Sequence, residues 1–182
     1  MQVEKVGILI ELKDGKIKKT NFGVITLARR QGGELFALIL NGDAAACKEQ
    51  LRQYGIGKIV DLTSGAGAMS WNPDQWARAI IAAMNQFGIT TLCGLTSARG
   101  KELLPRVAAY LDAPLVMDCV DLNLSERTVK KSQFSGKTIA TIQVNGNRFI
   151  FGSSVLATYN SKKEHQSNTN IYEDFHPFIF LV

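Results

Sequence analysis

The sequence predicts an α/β fold: a three-layer open parallel sheet with helices on both faces and a C-terminal antiparallel hairpin extension. Three observations lead there. Apolar residues come in consecutive runs rather than in alternation, as at residues 6–10 and 35–40, which suits strands covered on both faces. These runs alternate through short connections with stretches whose apolar residues recur at helical spacing. That is the pattern of βαβ units with right-handed crossovers. After Val120 the helical spacing stops, and β segments follow that are punctuated by Ser135-Gly136 and Asn145-Gly146; Asn-Gly between apolar runs is a hairpin signal.

Each element follows from local chemistry. Residues 5–12 read as the first strand, with Asp14-Gly15 as a turn. Residues 22–30 carry apolar side chains at Phe22, Val24, Ile25, Leu27 and Ala28, with Asn21 as the expected N-cap and Gly32-Gly33 as the stop. Residues 35–40 form the second strand, and Gly42-Asp43 opens a helix over 44–54 that ends at Gly55. Residues 58–62 are a third strand. The segment 63–70 is a loop rich in Gly, Ala and Ser. Asn72-Pro73 then starts a helix over 73–87, closed by Gly88, because an amide cap followed by proline is pre-set for a first turn. Strand four is expected over 89–95, a helix over 99–111 and strand five over 115–120. Residues 128–134, 137–144 and 148–152 are expected to form the antiparallel extension. Residues 1–153 thus form the α/β domain. Residues 154–182 are expected to be a polar linker followed by an apolar C-terminal tail.

Composition narrows the function. The chain has 182 residues, 46% hydrophobic and 20% charged, which suits one compact domain and excludes disorder as the main state. Its three cysteines, Cys47, Cys93 and Cys119, are too few and too scattered for a disulfide framework or a CxxC site, and read as small buried hydrophobes. No signal peptide is visible and the apolar run at 6–10 is too short to span a bilayer, so the expected location is cytoplasmic, with no membrane insertion. The formal charge is +5, but the cations are scattered and aromatic residues do not interleave with them. A solvated basic face or a patch for an acidic protein fits better than nucleic acid.

Catalytic chemistry finds few residues. The two histidines, His165 and His176, fall in the tail, which leaves no Ser-His-Asp or Cys-His set and no zinc site. Asp118 and Asp121 lie on or after strand five with no pairing geometry to make them an acid–base couple. No catalytic residue and no metal ligand is assigned. Ligands of open α/β sheets bind at the carboxyl ends of the strands, which singles out two loops. Gly65-Ala-Gly-Ala-Met-Ser70 lacks the last glycine of a dinucleotide fingerprint and does not lead straight into a helix. After strand four, Thr96, Ser97, Gly100, Lys101 and Arg106 are the candidate polar contact residues at the start of a helix. A capped helix, kinked or starting late because of Pro105, is the structural alternative.

The run Thr96-Ser-Ala-Arg-Gly-Lys-Glu-Leu-Leu-Pro-Arg-Val-Ala-Ala-Tyr-Leu-Asp-Ala-Pro-Leu-Val-Met-Asp118 resembles the N-terminal domain of electron transfer flavoprotein alpha subunits. There a T-S-x-G-(K/R)-(D/N)-L-x-P-R-x-A-A-x-L segment precedes an apolar strand ending in Asp. The present chain has one residue more before Gly100. Lys131-Ser-Gln-Phe-Ser-Gly-Lys-Thr-Ile-Ala-Thr-Ile142 is similar to the family's hairpin, with Lys131 in place of arginine and Phe134 in place of tyrosine. The resemblance covers residues 5 to about 152. It implies a Rossmann-like scaffold and docking domain that pairs with a beta-like subunit, in a flavoprotein carrying electrons from dehydrogenases to a quinone-linked acceptor. In the family FAD sits mainly in a second domain that follows the hairpin. This sequence ends at Val182, so the family's flavin-contacting residues have no positions here. The expectation is that the chain alone holds no FAD and catalyses nothing by itself. Its partner would be a beta-like subunit or a second copy of the chain. A stand-alone adenine-nucleotide-binding domain, with a cleft between residues 65–70 and 96–101, is the other expectation.

Overall fold

The computed structural model describes residues 4–63 and 69–154, and the backbone of residues 170–172. In chain order the elements are β1 (Lys5–Ile10), β2 (Leu12–Lys13), β3 (Lys16–Ile17), α1 (Asn21–Arg29), β4 (Glu34–Leu40), α2 (Ala44–Gln53), β5 (Lys58–Leu62), α3 (Pro73–Phe87), β6 (Thr91–Leu95), α4 (Ala98–Leu111), β7 (Leu115–Asn123), β8 (Thr128–Gln133), β9 (Thr138–Gln143), β10 (Phe149–Ser153) and β11 (Asn170–Tyr172). The main sheet has the order β11-β5-β4-β1-β6-β10-β7-β8-β9. Every pairing from β11 to β7 is parallel, and β8 and β9 add an antiparallel ladder on β7.

The consecutive apolar runs are explained by the two covered faces. On β1 and β4, Ile8, Ile10, Leu35, Ala37 and Ile39 join a core with α1 and α2, while Leu9, Phe36, Leu38 and Leu40 join a second core with α3 and α4. Strand side chains alternate between faces, so a strand buried on both must be apolar throughout. Helix ends follow the expected caps. Asp43 accepts from the Ala46 amide at 2.9 Å, and Asn72 from Asp74 and Gln75 at 3.1 and 3.2 Å, with Gly88 at φ 67° closing α3. Pro105 neither delays nor splits α4, which starts at Ala98 and runs continuously past it.

Two expectations are corrected. Asn21 is not the cap of α1. That position is Thr20, which makes no capping side-chain bond. Asn21 is instead fully buried inside the first turn. Its amide accepts from the Glu11 N–H at 3.0 Å and donates to the Glu11 and Lys18 carbonyls at 2.8 and 2.9 Å, sealing the small β2–β3 hairpin onto the end of β1. The first strand accordingly stops at Ile10, and Asp14-Gly15 turns with both φ positive, as a tight hairpin requires.

The second correction concerns Asn145-Gly146. It does not join two paired strands. β10 leaves β9 and inserts between β6 and β7, parallel to both. The reason is burial. Phe149 and Phe151 belong to one core and Ile150 to the other, and all five β10 residues are buried. Only a slot in the middle of the sheet covers both faces, whereas β9 is largely exposed. Asn170–Tyr172, expected in part as linker, pairs in parallel with β5. The remaining tail expectations lie outside the described residues.

Candidate functional site

The strand order places the topological switch beside β1. The chain moves from β1 to β4 and β5 on one side, then crosses to β6 on the other. The loops after β1 and β6 therefore diverge, opening a crevice at their carboxyl ends. Glu11, immediately after β1, is 5% exposed. One of its carboxylate oxygens meets the Lys18 ammonium at 2.5 Å and the other accepts from the Ser97 hydroxyl. A buried carboxylate is tolerated only when paired and hydrogen-bonded, and both conditions hold here. Ser97 in turn accepts from the Gly100 N–H at 3.0 Å as the cap of α4. Glu11 thus fastens the first βα connection to the helix after β6.

The five residues expected as a polar contact site are spread over four surroundings. Thr96 and Ser97 line a small cleft of about 250 Å³ with Lys18, Thr20, Ser153 and Ser154, and the Thr96 hydroxyl is buried without a partner. Gly100 is buried with its Cα against the Leu95 carbonyl, where any Cβ would overlap that oxygen. Lys101 turns toward Asp118 on β7, 3.9 Å away. Arg106 faces α3 and binds Asp74 at 3.1 Å. One helix turn cannot aim Lys101 and Arg106 at the same ligand, since five positions carry Arg106 well around the axis.

A second and larger cavity, about 330 Å³, opens over the ends of β1 and β4. Leu9, Leu40, Met69 and Leu103 form its apolar part. Asn41, in the left-handed region at φ 54°, spans to the loop after β5. Its amide donates to the Met69 carbonyl at 2.5 Å and accepts from the Met69 N–H at 2.7 Å. Trp76 donates from its indole to the Ser70 carbonyl at 3.1 Å, and Trp71 packs edge-on against it with ring centroids 4.8 Å apart. The Arg99 guanidinium lies over both indoles, 5.1 and 5.5 Å from their centroids. Sequence reasoning missed Glu11, Lys18, Asn41, Trp71, Trp76 and Arg99. A charged residue ending an all-apolar strand was the available signal for Glu11, and two tryptophans flanking a helix start for the cavity.

The thiols take no part. All three cysteines are buried. Burial pushes Cys93 well above the usual thiol range and Cys119 up to about 12, so both stay protonated and unreactive at neutral pH. Among the described residues no group of three or more His, Cys, Asp or Glu side chains could hold a metal ion, and no helix is long and apolar enough to cross a membrane.

The electron transfer flavoprotein domain model matches residues 6–168. Among curated proteins, the electron transfer flavoprotein subunit alpha of Syntrophomonas wolfei is 23% identical over 76% of this chain and 44% of its own length. The subunit alpha of Pseudomonas aeruginosa is 27% identical over 75% and 43%, and the probable mitochondrial subunit alpha of Caenorhabditis elegans 24% over 75% and 41%. The chain spans less than half the length of these relatives. With a domain model covering nearly all of the α/β unit just described, the chain belongs to the electron transfer flavoprotein family, on the side of its alpha subunits.

Proposed function

We propose that this chain serves as the docking and scaffold domain of an electron transfer flavoprotein. It pairs with a beta-like subunit in a cytoplasmic carrier that takes electrons from dehydrogenases to a quinone-linked acceptor. The observation that carries the reading is the β8–β9 ladder. It extends the sheet beyond its helix-covered part and ends in an exposed turn. There Phe134 is 75% exposed, with Ile139 on β9 at 52%. Lys130, Lys131 and Lys137 lie along the same ladder. β9 is an edge strand without charge or proline, and natural edges of that kind are normally covered.

Flavin retention is assigned to a part other than this domain. The first βα connection, where a dinucleotide pyrophosphate would sit, is filled by the β2–β3 hairpin and the Glu11–Asn21 contacts rather than by a glycine-rich turn. On this reading the domain supplies a surface rather than a reaction centre.

Mixing the purified chain with a cognate beta-like subunit tests the proposal by size-exclusion chromatography with light scattering. A one-to-one complex is expected, weakened about tenfold or more by Phe134→Ser, the scale of one lost aromatic anchor. A chain that elutes alone, or that pairs only with itself, overturns the assignment of the partner. Stoichiometric flavin absorbance in the isolated chain overturns the assignment of the flavin.

A further inference from the structure

We propose that Asn145 is a deamidation site, where the Gly146 amide nitrogen closes on the asparagine side chain and converts it to aspartate and isoaspartate. This goes beyond the docking reading and does not depend on it, since both residues lie in the connection between β9 and β10. The chain carries two Asn-Gly pairs, Asn41-Gly42 and Asn145-Gly146. In sequence the two are alike, because glycine has no Cβ to hinder the approach of its nitrogen. The fold separates them.

Asn41 is locked. Its side chain donates to the Met69 carbonyl at 2.5 Å and accepts from the Met69 N–H at 2.7 Å, and its own N–H meets the Leu62 carbonyl at 3.3 Å. Its Cγ cannot swing toward Gly42 without breaking both bonds to Met69. Asn145 is open. It and Gly146 are exposed, and among the described residues no hydrogen bond holds the Asn145 side-chain amide or the Gly146 N–H. Because β10 inserts between β6 and β7, the pair bridges two distant strands and no hairpin ladder restrains it. The Arg127 guanidinium donates to the Gly146 carbonyl. A cation there favours both the deprotonated amide that attacks and the carboxylate that results.

The reaction balances with water alone. The Gly146 nitrogen gives up its proton and bonds to Asn145 Cγ, the Cγ–Nδ2 bond breaks, and ammonia leaves. Water then opens the cyclic imide at either carbonyl. One opening gives aspartate, and the other reroutes the backbone through the side chain as isoaspartate.

The full chain is incubated folded in mildly alkaline buffer, beside a sample unfolded in urea, until the urea sample has converted. Trypsin puts the two pairs on separate peptides, 31–48 and 138–148, and mass spectrometry follows the amide-to-acid change in each. In urea the two peptides are expected to convert at the same rate. In the folded chain, 138–148 is expected to convert at least about tenfold faster than 31–48, the factor that two modest hydrogen bonds supply. Asn145→Gln, whose longer side chain closes the ring poorly, is expected to abolish conversion of 138–148 and leave the thermal midpoint unchanged. A peptide 138–148 that keeps its amide in the folded chain overturns the proposal. So do equal rates for the two peptides in the folded chain. Conversion that persists in Asn145→Gln would come from Asn147 and also overturns it.

Discussion

Single side chains in this protein act as fasteners between elements distant in sequence. Asn21 is the clearest. Its three hydrogen bonds satisfy both backbone groups of Glu11 and one of Lys18 in a fully buried place. Asn21→Ala would leave the Glu11 N–H unpaired, while the Glu11 and Lys18 carbonyls keep the Lys18 and Asn21 backbone N–H groups, and is expected to cost about 2 kcal/mol, from the cost of stranding a buried polar group, read as a lowered urea midpoint. Gly100→Ala is expected to cost about 2 kcal/mol, because the added methyl meets the Leu95 carbonyl rather than a yielding side chain. Cys119 supplies a pH signature. Its thiol titrates at about 12 in the fold and at about 8.5 when unfolded, so above pH 8.5 the unfolded chain sheds the proton first. The stability this thiol contributes is intact below that point and is lost progressively as pH rises toward 12. The urea midpoint is expected to fall between pH 7.5 and 10, and Cys119→Ala to flatten the fall. These fasteners were largely illegible in the sequence. Asn before a helical run reads as a cap, and nothing local reveals that the end of β1 needs its amide more.

At the scale of elements, legibility follows the range of the interaction that decides the outcome. α2 and α3 were read with their caps, because Asp43, Asn72-Pro73 and Gly88 act within one turn. β10 was misplaced because Asn145-Gly146 is a local signal, and the decisive fact is a vacancy between β6 and β7 that only the assembled sheet presents. Glu11 and Ser97 escaped pairing for the same reason, being 86 positions apart. A central and an edge strand of the sheet give a direct contrast. Phe151→Ala, in the central slot, is expected to destabilise by about 4 kcal/mol through its cavity. Ile139→Lys, on the exposed edge strand, is expected to stay within about 0.5 kcal/mol. Chemical denaturation of the two variants separates a β10 built into the core from a β10 hanging on β9. Equal costs would contradict the sheet order.

Across the whole molecule, stability should grade from the middle of the sheet outward. β1, β4, β6 and β10 carry residues of both cores and are almost entirely buried. Their amides can reach solvent only when both layers of helices come away, which amounts to global unfolding. β8 and β9 lie at the end of the sheet, with β9 open on its outer edge; Val129 and Ile142 touch the margin of one core, so their hydrogen bonds can open at a smaller cost than those of the central strands. Native-state hydrogen exchange is therefore expected to give β4 and β10 amides the full unfolding free energy, and β9 amides a value lower by several kcal/mol. The same measurement connects stability to function. A fold that keeps its least stable strand uncharged, with Ile139 exposed on it, retains an adhesive edge whose order a partner can supply. Adding the beta-like subunit should raise protection at β8 and β9 while leaving β4 and β10 unchanged. Protection that rises instead at the ends of β1 and β4 would put the contact over the cavity there and overturn the assignment of the docking edge.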